Sequence, residues 1–381
     1  MTIPTLQEVL RAQRRLTGRV LRTPVVCAWA LGLCLKLESL QVTGSFKPRG
    51  AFNHILQHLE RCRGGVVTAS SGNHGQAVAY VARCLGLPAV VVVPEDVVPV
   101  KERAIRAWGA EVVRRGRTTA ERIAAAVELG KAMGMHYVPP FDDVDVIAGQ
   151  GTVGLEILSQ FPGVRAVLVP CGGGGLVSGV ALAVKNLRPD VQVVAVEPEG
   201  AACFQASWRA GRRVRLDRVD TVADGLRAVE PGELTWRCAS QYVDRFATVT
   251  DEEIRQAVRA SDVAARYGGD EFVVILTRTD LAGGGAPTQG GEGGGGAFRR
   301  GRGGFLPGRA RRRYCGGTQR RERGSGPACA LAVSAALTGK YMFAIILPGQ
   351  DLGCRFGGAS AVGRKAASQT EGHGASVRPL G

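Results

Sequence analysis

Between about residues 64 and 198 the chain alternates short β-branched runs with longer stretches whose apolar residues recur at helical spacing. Segments 65–69, 89–93 and 111–113 predict strands, and 76–85, 100–108 and 119–133 predict helices. The last helix has Thr118 or Thr119 as its cap and Glu121 in its first turn. The pattern then repeats as helix 151–160, strand 166–169, helix 176–187 and strand 191–196. Nearer the start, Leu6, Val9, Leu10 and Leu16 among charges predict an amphipathic helix within 1–22, followed by a strand at 34–40. Strands alternating with helices of this length imply βαβ units, so the expected class is α/β with open parallel sheet covered on both faces. Ligands of such sheets bind at the carboxyl ends of the strands.

Three strand-to-helix turns carry unusual chemistry. The first reads Thr43-Gly44-Ser45-Phe46-Lys47-Pro48-Arg49-Gly50. Lys47 stands beside a proline suited to a first helical turn, where a desolvated amine becomes nucleophilic toward an aldehyde. Alone, it is more simply an exposed lysine at a helix start. The second turn, Ser70-Ser71-Gly72-Asn73-His74-Gly75, offers hydroxyls, an amide and N–H groups to a carboxylate. A serine capping helix 74–86 explains it equally well. In the third, Cys171 precedes Gly172, Gly173, Gly174 and Gly175, whose N–H groups can converge on a phosphate. A tight turn is the alternative there, and neither the Walker nor the Rossmann spacing is present.

Composition refines this picture. The net charge of +16 is concentrated in 282–326, where ten arginines face two acids among 17 glycines, so the basic balance is largely local. That stretch is expected to be disordered, and nucleic acid is not an expected partner despite Phe298, Phe305 and Tyr314 among the arginines. Residues 353–381 are a similar glycine-rich tail. Ten cysteines without a Cys-x-x-Cys pair suit reduced thiols better than a disulfide frame. With no apolar leader in 1–22 and no run long enough to span a bilayer, the expectation is a soluble cytoplasmic protein. His54 and His58 lie at i, i+4 on one predicted helix; without a third ligand nearby they read as a solvated or core pair.

Taken in order, Ser-Phe-Lys-Pro-Arg-Gly-Ala, Ser-Ser-Gly-Asn-His-Gly-Gln-Ala and Gly-Gly-Gly-Gly-Leu resemble the pyridoxal-phosphate (PLP) enzymes of the tryptophan-synthase-β fold type. The resemblance is to the threonine dehydratase and serine racemase-dehydratase family, and it runs through most of 1–259. It includes Arg22-Thr23-Pro24, 37–41 and Thr221-Val222-Ala223-Asp224-Gly225. It implies that Lys47 carries the cofactor as a Schiff base and then removes the α-proton. It further implies that Gly172–Gly175 hold the phosphate, Asn73 bonds the phenolic oxygen, and Phe46 and Gly225 lie near the ring. Ser71 would be the acid-base on the opposite face and, with Ser70, Asn73 and His74, would seat the substrate. The implied reaction is dehydration and deamination of L-threonine or L-serine to a 2-oxo acid and ammonia. Amino-acid racemisation is the alternative on the same site. The resemblance is compatible with a homo-oligomer.

The implied domains are a smaller one at about 45–140 and a larger one from 1–44, 141–260 and 327–352. The family's divalent-cation site finds Glu197 and Ala201 in place, but Cys203 stands where an aspartate is expected. Segment 261–284 resembles the central hairpin of diguanylate cyclases, with Gly268-Gly269-Asp270-Glu271-Phe272 intact, and 261–281 is assigned to that fragment. A catalytically inactive chimera with a nucleic-acid-binding Gly/Arg segment or a vestigial cyclase fragment is the reading of another class. After it, 327–338 predicts a helix and 342–347 a strand ending at Pro348, where the family places a serine or cysteine facing the pyridine nitrogen.

Overall fold

The computed structural model describes residues 2–28, 33–259, 264–266, 272–274 and 343–348. Helix α1 (Leu6–Leu16) is closed by a capping box between Thr5 and Glu8 and buries Val9, Ala12 and Leu16. It leads to β1 (Val25–Ala28) and β2 (Leu33–Leu37). Next come α2 (Lys47–Gln57), β3 (Val66–Ala69), α3 (Asn73–Leu85), β4 (Ala89–Val93), α4 (Pro99–Ala107), β5 (Glu111–Arg114), α5 (Thr119–Met133) and β6 (His136–Tyr137). The chain continues through α6 (Val144–Gln160), β7 (Val164–Pro170), α7 (Gly175–Leu187), β8 (Gln192–Pro198), α8 (Cys203–Ala210), α9 (Glu233–Tyr242), β9 (Arg245–Val249) and α10 (Asp251–Arg259). Short strands β10 (Ala264–Arg266), β11 (Phe272–Val274) and β12 (Phe343–Pro348) complete the described chain.

Two sheets organise these elements. The smaller, in the order β5-β4-β3-β6, is parallel throughout. The larger, β1-β2-β12-β7-β8-β9, is parallel only across β7, β8 and β9. Strands β7 and β8 are buried at nearly every position, which is why their sequences read as continuous apolar runs rather than alternations. Val167, Val169, Val177, Val180 and Ala181 form the core between the larger sheet and α7. On the smaller sheet, Val67, Val90 and Val92 pack on Ala125 and Ala126 of α5, while Phe52, Ile55, Val78 and Val81 join α2 to α3.

Two expectations need correction. Cys27 and Cys34 face each other across the β1–β2 ladder and form a disulfide, so the cysteines are not uniformly reduced thiols. Strand β12 runs antiparallel to β7, with Ile345 opposite Leu168 and Pro348 opposite Val164. At about 3.3 Å per residue, that sets Pro348 roughly 20 Å from the glycine turn after β7. The strand's last residue therefore does not lie with the three turns.

Strands β10 and β11 form an antiparallel pair, Ala264–Arg266 against Phe272–Val274, the second beginning on the last residue of the cyclase-like signature. Residues 268–271 of that signature, segment 282–326, the helix expected at 327–338 and the tail 353–381 lie outside the described residues. No helix among the described residues is long and apolar enough to cross a membrane.

Candidate active site

The three chemically unusual turns meet on one short stretch of chain, Val138 to Phe141. From the first turn, Lys47 at the start of α2 donates a hydrogen bond from Nζ to the Pro140 carbonyl at 2.8 Å. From the second, His74 Nε2 lies 3.1 Å from the Val138 carbonyl. The third lies against Phe141: a Cβ on Gly173 would stand 2.4 Å from its ring, and one on Gly175 would stand 3.0 Å from its Cβ. Thr68 Oγ1 of β3 donates to the same Val138 carbonyl at 2.8 Å.

Local sequence explains how each turn is built. Pro48 occupies the first turn of α2, so the helix begins at the lysine itself. Burial pushes the Lys47 ammonium down to about 8, because an uncompensated charge is disfavoured away from water. Its Nζ also sits 5.2 Å from the Phe46 ring centroid. The Phe46 ring is itself buried in the core beneath the larger sheet. Burial, reinforced by the nearby Lys47 charge, drives His74 down to about 3, leaving a neutral imidazole.

The cap of α3 is Gly72, which has no side chain to offer, and Ser70 Oγ accepts the Gly72 N–H at 3.2 Å. The serines therefore do not cap the helix. Ser70, Ser71 and Asn73 are partly exposed at its N-terminal end, where first-turn N–H groups lack intrahelical partners.

The glycine turn is shaped by what surrounds it. Gly174 has φ +87°, and a Cβ there would fall 2.3 Å from the Phe204 ring and 2.9 Å from Thr235 Cβ. A side chain on Gly172 would meet Leu226 Cα at 2.9 Å and the Gly225 carbonyl at 3.3 Å, which brings Gly225 to the turn. Gly175 opens α7, whose positive end faces the turn. Thr235 Oγ1 is buried beside Gly174 with no hydrogen-bond partner among the described residues. A turn whose own four residues carry no side chains, a helix N-terminus, an unpaired buried hydroxyl and an amine with a lowered pKa together fit a phosphate-bearing aldehyde.

Other residues acquired a place that sequence reasoning had not given them. Arg49, two residues after Lys47, is wholly buried and bonded to Glu38 (Nε–Oε2 2.8 Å) and Glu156 (Nη1–Oε1 2.7 Å). Lys36 joins Glu156 at 2.5 Å and the Thr23 carbonyl at 2.6 Å, while Thr23 Oγ1 donates to Glu38 at 2.5 Å. This network locks the start of α2 to α6 and β2. The quoted Arg22-Thr23-Pro24 and 37–41 segments were its only signal. Asp142 accepts the N–H groups of Glu233 and Thr235 at 2.9 and 3.0 Å, tying the same linker to α9.

Glu197 and Ala201, the two matching positions of the family's divalent-cation site, lie at the β8–α8 junction. Both Glu197 oxygens accept backbone N–H bonds, from Phe204 at 2.9 Å and Gln205 at 2.7 Å, at the N-terminus of α8. Burial nevertheless pushes this carboxyl up to about 8. Ala201 lies in a 3-10 turn between β8 and α8.

Comparison with known proteins gives a consistent answer. The pyridoxal-phosphate dependent enzyme family matches residues 16–266, a span reaching into the segment assigned to the cyclase-like fragment. An L-threonine ammonia-lyase of Thermotoga maritima is 41% identical over 292 residues, 73% of each chain. A catabolic L-threonine dehydratase of Staphylococcus aureus is 40% identical over 267 residues, 68% of this chain and 77% of the relative. Among solved structures, a threonine deaminase of T.th. superposes with a TM-score of 0.64 at 44% identity, covering 67% of this chain and 85% of that one. Maize serine racemase gives 0.65 at 36% identity, over 67% and 80%. The α/β fold is accordingly that of the type II enzymes using this cofactor, and the chain belongs to the pyridoxal-phosphate dependent enzyme family.

Proposed function

We propose that this chain is an ammonia-lyase that removes water and then ammonia from L-threonine or L-serine. The observation that carries the reading is the meeting of Lys47, His74 and the Gly172–Gly175 turn on the 138–141 linker. Relatives near 40% identity bear the names L-threonine ammonia-lyase and L-threonine dehydratase. When bound, the cofactor supplies an electron sink for the pair left on the substrate Cα.

In this reading Lys47 carries the cofactor covalently. Gly172, Gly173, Gly174 and Gly175 hold its phosphate with the α7 N-terminus, Asn73 bonds its phenolic oxygen, and Phe46 and Gly225 flank it. Ser70, Asn73 and His74 orient the substrate carboxylate through side chains and the N–H groups of α3. A depressed pKa lets Lys47 Nζ hold the Cα proton and release it near neutrality. Ser71 Oγ is the second proton-carrying group. Loss of the β-hydroxyl as water leaves an enamine, which water converts to the 2-oxo acid and ammonia. The reading divides the chain into a smaller domain at about 45–140 and a larger one from 1–44, 141–260 and 327–352.

A coupled assay of ammonia and 2-oxobutanoate from L-threonine tests the proposal. Equal amounts of both products, lost in Lys47→Ala, are expected; cofactor-loaded, folded protein forming neither would refute it. Similarity to maize serine racemase supports a second reading, inversion at Cα with Lys47 and Ser71 as the two proton carriers. Chiral analysis of serine recovered from the assay separates the two.

A further inference from the structure

The His54–His58 pair is not isolated in the folded chain. Three imidazoles and two carboxylates from three separate elements converge beside α2. His54 Nδ1 lies 2.9 Å from Asp143 Oδ1, a carboxylate that also accepts the Val146 N–H at 2.9 Å and so caps α6. That contact leaves His54 Nε2 facing His136 Nε2 of β6 at 3.0 Å. His58 Nε2 lies 2.9 Å from Asp145 Oδ2, and one ligand atom from each of His54, His58 and Asp145 falls within 4.8 Å of the others. The three ring centroids are mutually 4.8 to 5.4 Å apart.

We propose that His54, His58, His136 and Asp145 form a zinc site, with Asp143 orienting His54 from behind. Tetrahedral zinc with bonds of about 2.0–2.1 Å to nitrogen spaces its donors about 3.3 Å apart. The His54–His136 and His58–Asp145 contacts already approach that spacing, and side-chain rotations that bring His136 toward His58 and Asp145 complete the set. A carboxylate on the far nitrogen of a ligating histidine is the usual outer partner of such sites, fixing the tautomer that presents Nε2. Asp145 is held in turn, with Asn53 Nδ2 on its carbonyl at 2.7 Å and Gln57 Nε2 near Oδ1 at 3.4 Å. Of the four ligands, His58 also lines an open concavity formed by residues 56–61, so the cluster meets solvent at that residue.

In the metal-free cluster one imidazole donates Nε2–H to the other. Zinc takes the place of that proton, which passes through water to Nδ1 of the same ring, so the ligand stays a neutral imidazole. The ion would join α2, β6 and the cap of α6, and so brace both ends of the 138–141 linker. The proposal stands whether or not the lyase reading holds.

The test uses the full chain after chelator treatment, titrated with cobalt(II) as a spectroscopic substitute and then with zinc. One equivalent of cobalt with intense visible bands of tetrahedral coordination is expected, displaced by zinc. His58→Gln, at a half-exposed position, should weaken affinity at least tenfold, and His54→Gln or His136→Gln should abolish the bands. Replacing the exposed free thiol of α3, Cys84→Ser, should change nothing, and Lys47→Ala should bind cobalt as wild type does, separating this outcome from thiol and cofactor chemistry. Circular dichroism confirms that each variant is folded; His58→Gln and His136→Gln, both at partly exposed positions, decide the matter if the buried His54 variant is not. Absence of saturable binding, or binding indifferent to His58→Gln, would overturn the proposal.

Discussion

At the scale of single residues, the site depends on where an amine and four glycines sit. Only a neutral amine attacks an aldehyde, and a lysine titrating near 8 is about one-tenth neutral at pH 7, against about one part in three thousand for an ordinary lysine. Cofactor uptake by the cofactor-free protein should therefore quicken as pH rises from 6 and level off above about 8. Stopped-flow absorbance checks this, and a rate still climbing tenfold per unit beyond pH 9 would contradict it. Gly174 supplies a second test at this scale. Gly174→Ala meets both a left-handed backbone and the Phe204 ring, whereas Gly86→Ala, at φ +67°, meets open space. The Gly86 change should cost about 1 kcal/mol in urea unfolding, and the Gly174 change about 2 kcal/mol more. Gly174→Ala should also lower cofactor retention in equilibrium dialysis, which Gly86→Ala should leave alone.

These residues were legible because lysine before proline and four successive glycines are rare local signals with a direct physical meaning. The partners of Lys47 and His74 were not, because they are carbonyl oxygens of Pro140 and Val138, and every residue has a carbonyl. His136 and Asp145 escaped for a related reason. Nothing in sequence links them to a helix some 80 residues earlier until β6 pairs with β3 and α6 packs on α2.

At the scale of elements, α2 is held by buried charge rather than by apolar packing alone. Arg49 and Lys36 are fully buried, and Glu38 and Glu156 neutralise them with each carboxylate oxygen engaged. Such a network contributes little net stability over an apolar substitute, yet removing one partner strands charge away from water. Glu156→Ala should cost about 3–5 kcal/mol in chemical unfolding. Because α2 begins at Lys47, the same change should impair cofactor binding at a distance from the cofactor itself. A cost under about 1 kcal/mol would show that the network is not what fixes this helix. The periodicity located helix 119–133 and the central strands well, since both classes carry strong patterns. It missed the β1–β2 pairing and its disulfide, because the register of two short strands is set by tertiary contacts rather than by their own alternation. The direction of β12 was hidden for the same reason.

At the scale of the whole molecule, the two sheets present their strand-to-helix turns to one linker, and Lys101 of α4 reaches Asp224, the neighbour of Gly225, at 2.6 Å. In the proposed reading the smaller sheet supplies the groups that face the substrate and the larger sheet the glycine turn that holds the phosphate. The central claim is that Lys47 is the residue joined to the cofactor at the place where these turns meet. The most direct measurement is borohydride reduction of the protein loaded with pyridoxal phosphate, followed by peptide mass spectrometry. The account predicts a single reduced phosphopyridoxyl adduct on the peptide containing Lys47, and none in Lys47→Ala. An adduct on another lysine in folded wild-type protein, or an adduct that persists unchanged in Lys47→Ala, would contradict it.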